Sequence, residues 1–203
     1  MMARMSIDRP VVRGDRAAGD DASMWARAFP DAAEADVRAA VAALGPSHLS
    51  PSGSFTVVAA GRPVEIPYRI YSSPSDADSI ARLTGGQRQL LDAMVTRHHD
   101  GFVRQDSVAR LLRIADDWTI PFVVHVIGEY VVEIVAVIAE ELGDGDARLA
   151  GYRAFARENR AFVSLIRERA VSYWNCNYRA GWPTFDDYPA RALLDRLGYR
   201  RRS

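Results

Sequence analysis

The apolar positions of this chain follow two periods. Between residues 54 and 71 they alternate; over most of the remainder they recur at helical spacing. In SFTVVAAGRPVEIPYRIY, Phe55, Val57, Val64, Ile66, Tyr68 and Ile70 take strand-like positions on either side of Gly61-Arg62, which predicts a β-hairpin. Pro63 and Pro67 have no N–H to give to a ladder, so the second strand is expected at an edge. Two strands alone are marginal and need helices to pack on.

The helical pattern begins at residues 31–44, an Ala-rich stretch with Val37, Val41 and Leu44 on its apolar side, stopped by Gly45-Pro46. After the hairpin, Thr84 caps a helix reaching about His99, with Leu90, Leu91, Met94 and Val95 facing inward. Residues 102–114 and 188–197 predict shorter helices. From 147 to about 178 the pattern is helical again, with Tyr152, Phe155, Asn159, Phe162, Ile166, Ala170 and Tyr173 on one side and Arg153, Arg157, Arg160 and Arg167 mostly off it. At about 1.5 Å per residue a single rod of that length would overrun a compact domain, so a break or an overhang is expected. Residues 1–23 have no hydrophobic period and read as a disordered leader, leaving 24–203 as one domain.

The most apolar stretch, TIPFVVHVIGEYVVEIVAVIAEEL at residues 119–142, predicts one buried central helix with Pro121 in its first turn. His125, Glu129 and Glu133 recur at every fourth position, one above another on a single stripe. The many Val and Ile residues leave two strands meeting at Gly128-Glu129 as an alternative. Three ionisable groups near the middle argue against a membrane span.

Buried carboxylates and an imidazole must be satisfied, and two chemistries suit them. Arginines from neighbouring helices, such as Arg104, Arg157 or Arg160, would pair with Glu129 and Glu133; this is the favoured reading, because guanidinium forks hold carboxylates well. The alternative is a metal site for iron, manganese or zinc, completed by His98, His99, Asp100, Glu158 or Asn159. The usual carboxylate-bundle signature Glu-x-x-His is absent, as is HExxH. A second unusual run, Ser172 through Arg179 followed by Trp182, is dense in aromatics and amides. It reads as core packing, with a binding patch of Tyr173, Trp174, Asn175, Tyr178 and Trp182, joined by Arg157 and Arg160, as the functional alternative.

The segment LLDAMVTRHHDGFVRQDSVARLL resembles one unit of the HEAT-type α-helical repeat, with an apolar first helix, Asp100 at the turn and Val103-Arg104 opening the second helix. Over residues 87–142 the next segment echoes it, Gly101-Phe102-Val103 falling over Glu129-Tyr130-Val131. The offset is shorter than the family's usual repeat, and Val132 stands in the Arg position. The resemblance implies stacked helices and an interaction surface, with the Asp and Arg tying neighbouring turns together.

Composition removes several chemistries. Formal net charge is zero, so no global basic field draws nucleic acid, and acidic residues interleave with the Arg row. The sequence contains no lysine, a bias of GC-rich, bacterial-type coding, which excludes a P-loop lysine and a Schiff base. Cys176 is the single cysteine, so no internal disulfide exists, and a reducing cytoplasm is expected. The N-terminus lacks an apolar core of signal-peptide length.

The expectation is therefore a mainly α fold: packed helical hairpins, HEAT-like or an orthogonal bundle, around the central helix, with an N-terminal β-hairpin. The expected role is a non-catalytic cytoplasmic adaptor or regulatory protein without cofactor, whose partner is another protein or itself, and neither nucleic acid nor membrane. A metal-dependent enzyme using the His125/Glu129/Glu133 stripe is the competing reading.

Overall fold

The computed structural model describes residues 18–47, 49–114 and 116–199. The fold is mainly helical with one small two-stranded antiparallel sheet. Residues 1–17 of the expected leader lie outside the described residues. Residues 18–23 are helical, because α1 (Ala18–Ala26) starts there and buries Ala22 and Trp25. Helix α2 (Glu34–Ala42) follows and packs on α1.

The hairpin forms as the alternation predicts. Strands β1 (Ser54–Ala59) and β2 (Arg62–Pro67) pair with Phe55 opposite Ile66 and Val57 opposite Val64, which puts all four side chains in the core. The turn lies at Ala60 and Gly61, both with positive φ (51° and 74°), the type I′ geometry that matches strand twist. Both outer edges are partly occupied: Glu65 N–H donates to Arg27 O at 3.1 Å, and Val58 is met by a side chain described below.

Beyond α3 (Ala77–Ala81), α4 (Gly85–Val95) starts at a capping box. Thr84 Oγ1 accepts from Gln87 N–H, and Gln87 Oε1 accepts from Thr84 N–H. Helix α5 (Gly101–Leu111) starts at Asp100, whose side chain accepts from Phe102 N–H at 2.8 Å. The two pack against each other as a helical hairpin joined by residues 96–100.

The single central helix is corrected to two. Helix α6 (Ile120–Ile127) ends at Gly128, and α7 (Val132–Glu141) begins after a turn in which Val131 is extended. Gly128 lies hard against a helix later in the chain: a Cβ there would stand 2.8 Å from the Ile166 carbonyl oxygen. Every residue of α6 is buried, whereas α7 buries only Ile134, Val135 and Ile138 and exposes Glu133. An all-buried segment and an amphipathic one occupy different layers, so the chain turns between them.

The long C-terminal rod is likewise broken, into α8 (Leu149–Glu158) and α9 (Arg160–Tyr173), at Asn159, whose backbone leaves the helical region (φ −114°, ψ 45°). A π-helical turn over Trp174–Tyr178 then leads to α10 (Pro189–Arg196). No helix among the described residues is long and apolar enough to cross a membrane.

Candidate functional site

The turns of the α4–α5 and α6–α7 hairpins meet at one end of the fold, with the residue chain that leaves β2 beside them. Glu129, just past α6, is 3% exposed. Its Oε1 accepts from Arg97 Nη2 at 3.1 Å, and its Oε2 from Arg69 Nη2 at 3.2 Å, with Arg104 Nη2 at 3.0 Å. Three guanidinium groups thus share one carboxylate. Two of them also stitch backbone: Arg97 donates to Pro67 O and Tyr68 O, and Arg104 to His98 O and His99 O. Arg104 therefore links one helical turn to the next through Glu129.

His125, one helical turn earlier, is also buried. Its ring stacks on Phe55 with centroids 4.6 Å apart and meets Tyr68 edge-on, and Nδ1 is 3.5 Å from Glu129 Oε1, beyond a good hydrogen bond. Burial, and then the positive charges of Arg97, Arg169, Arg69 and Arg104, push its pKa far below the ordinary range, so the imidazole is neutral. Burial likewise lowers Arg97, to about 10, against the opposing pull of Glu129. Among the described residues neither His125 nitrogen has a hydrogen-bond partner, and Arg97 Nη1, Arg104 Nε and Arg104 Nη2 have none either; the last lies near Glu129 but approaches too obliquely. Each unmade bond of this kind costs about 1–3 kcal/mol.

The predicted stripe is only partly assembled. His125 and Glu129 come together, and Arg104 is one of the arginines expected to pair there. Glu133, beyond the turn, is exposed and faces the C-terminal segment, where its charge adds to the burial that raises the Tyr188 phenol. Arg157 and Arg160 are not among the partners of Glu129 and line a groove instead. Asn159 holds the hairpin: its Oδ1 accepts from Val58 N–H at 2.7 Å and its Nδ2 donates to Val58 O at 2.8 Å, so the side-chain amide stands in for a third strand. His98 is satisfied as a neutral ring, accepting from Asp100 N–H at Nδ1 and donating from Nε2 to Ser73 Oγ, both at 3.0 Å. Among the described residues no three His, Cys, Asp or Glu side chains are grouped to hold a metal ion.

The other candidates fall on opposite ends of α9. At its C-terminal end the aromatic run turns inward. Trp174 Nε1 donates to Trp182 O at 2.8 Å, Tyr178 stacks on buried Tyr188, and Tyr178 OH donates to Tyr130 O. Trp174, Tyr178 and Trp182 are half-buried, Tyr173 rests 6.0 Å from the Tyr130 ring, and Asn175 is exposed, accepting from Arg179. At the N-terminal end, Arg153, Arg157 and Arg160 line a groove of about 510 Å³. Its far wall exists because α10 ends in a Schellman turn: Gly198 (φ 75°) donates to Asp195 O and Tyr199 to Leu194 O. That turn brings Tyr199 OH to Ser164 Oγ at 3.0 Å. Among the described residues no acidic side chain lines the groove, and Arg157 and Arg160 pair with no carboxylate.

Sequence reasoning missed Arg69, Arg97 and Arg169. A signal existed for Arg97, which continues the inward side of α4 through Leu90 and Met94. No protein-family model, curated protein or solved structure matches the chain.

Proposed function

We propose that the chain is a non-catalytic adaptor or regulatory protein of the cytoplasm that receives an acidic segment of another protein in the Arg153/Arg157/Arg160 groove. The observation that carries this reading is the groove itself: three arginines converge on it, and among the described residues no carboxylate lines it. Guanidinium groups that are not neutralised in the free protein are suited to carboxylate-rich partners, by steering and by bidentate contacts. A HEAT-like stacking of the α4–α5 and α6–α7 hairpins is part of the proposal, supported by the Arg104–Glu129 link between their turns. Against the competing metal-enzyme reading stand the engagement of Glu129 by arginines and the exposure of Glu133 away from it.

The test is fluorescence anisotropy with a labelled Asp/Glu-rich peptide. Binding that falls steeply with salt and is lost in an Arg157→Ala/Arg160→Ala chain supports the groove. Equal binding by that double variant, or none by the wild type, would sink the reading.

A further inference from the structure

We infer that the arginine cluster around Glu129 is a second binding site, for a phosphate group, held by Arg97 and Arg104 with Arg69 at its rim. The inference is independent of the groove. Charge is the first support. Arg69, Arg97 and Arg104 all contact Glu129 within 3.2 Å, so three cations share one anion and two positive charges are in excess. Arg169 adds a further cation above the Tyr68 ring, at 5.8 Å, on the side of His125. An uncompensated charge in a place shielded from water is costly, and a dianion removes that excess.

Unused donors are the second support. Arg97 and Arg104 are 1% and 0% exposed, yet among the described residues Arg97 Nη1 and Arg104 Nε find no acceptor, and Arg104 Nη2, though 3.0 Å from Glu129 Oε2, makes no hydrogen bond. Guanidinium edges present their N–H groups in the fork that matches two oxygens of a phosphate. The neutral His125 ring, with both nitrogens unpartnered, offers one further N–H beside them. Access is the third support. The Arg69 side chain is 30% exposed, whereas Glu129, Arg97 and Arg104 are sealed, so a ligand would enter past Arg69.

The experiment is isothermal titration calorimetry on the full chain at fixed ionic strength, with inorganic phosphate, glycerol phosphate and acetate as probes. Phosphate is expected to bind saturably at a single site, and acetate much more weakly. Glycerol phosphate binding alongside phosphate identifies a phosphomonoester head group as the ligand; exclusion of glycerol phosphate identifies the enclosed free ion. Arg69→Gln should weaken phosphate binding at least ~10-fold through loss of a nearby charge. Glu129→Gln should tighten it, because the carboxylate that competes for the same donors is gone, and a merely structural cluster gives no such gain. Arg157→Ala/Arg160→Ala should leave it unchanged. The inference is overturned by absence of saturable binding, by acetate binding as tightly as phosphate, by an Arg69→Gln chain that binds like wild type, or by loss of binding in the groove variant. A folded Glu129→Gln chain that binds phosphate no tighter also overturns it. Arg69, only partly buried, keeps the test usable if Glu129→Gln does not fold.

Discussion

Replacing Glu129 by alanine should be among the most damaging single changes in this protein. The carboxylate is sealed from water and contacts Arg97 and Arg104, which are 1% and 0% exposed, and Arg69 at the rim. Its removal leaves two guanidinium groups buried without a counter-charge, a change that typically costs about 3–5 kcal/mol. That is roughly a third of the stability of an ordinary domain. An internal control exists in Arg27–Glu65, a pair as close (2.8 Å) but with side chains 55% and 37% exposed. Glu65→Ala should therefore cost about 0–1 kcal/mol. Urea unfolding followed by circular dichroism and tryptophan fluorescence reads both; with a slope of about 2 kcal/mol per M, Glu129→Ala should lower the midpoint by about 2 M. Glu129→Gln separates charge from shape, because it keeps the volume while losing the charge and turning one acceptor oxygen into an NH2 donor. It should carry more than half of the alanine penalty. A Glu129→Ala chain no less stable than Glu65→Ala, or a glutamine variant indistinguishable from wild type, would refute the reasoning.

Three further outcomes follow from neighbouring geometry. His125 is held uncharged by burial and by Arg97, so the unfolded chain takes up a proton below about pH 6.5 that the folded chain does not. Stability should be intact above that pH and fall as pH drops; burial of His98 adds in the same direction, and His125→Phe should show a shallower acid limb in pH-dependent melting. Gly128→Ala would press a methyl group 2.8 Å from the Ile166 carbonyl oxygen, forcing α6 and α9 apart at a cost of about 1–3 kcal/mol in chemical unfolding. Asn159→Ala removes the partners of both Val58 backbone groups, costs about 1–3 kcal/mol, and should speed hydrogen exchange at the Val58 amide.

Much of the secondary structure was legible because its signals are local. The alternation of Phe55, Val57, Val64 and Ile66, the Thr84–Gln87 cap and the Asp100 cap each specify their element within a few residues. The 119–142 helix was misread as continuous, and the break expected in the 147–178 rod could not be placed, for one reason: what breaks them is tertiary. Gly128 is a tolerable helix residue until the backbone of α9 lies against it, and Asn159 is one until Val58 offers it a peptide to bond. The candidate site was half legible. The i,i+4 spacing brings His125 and Glu129 together, and Arg104 was among the expected partners, but Glu133 left the stripe once the chain turned. Arg69 arrives from the far side of the hairpin, 60 positions away from Glu129, and no local pattern records such a pairing.

The Asn159–Val58 contact also sets an order of events in time. It joins positions 101 residues apart, a loop whose closure costs about 4 kcal/mol in chain entropy before any constant term. The strands are complete by Pro67, but the amide that covers Val58 is added about 90 residues later. At a synthesis rate of roughly 5–20 residues per second, the nascent hairpin waits on the order of 5–20 s with one edge uncovered. Throughout that interval, Val58 presents a free N–H and C=O to any strand that passes, and crowding of nascent chains is the condition under which this protein is most exposed to mispairing.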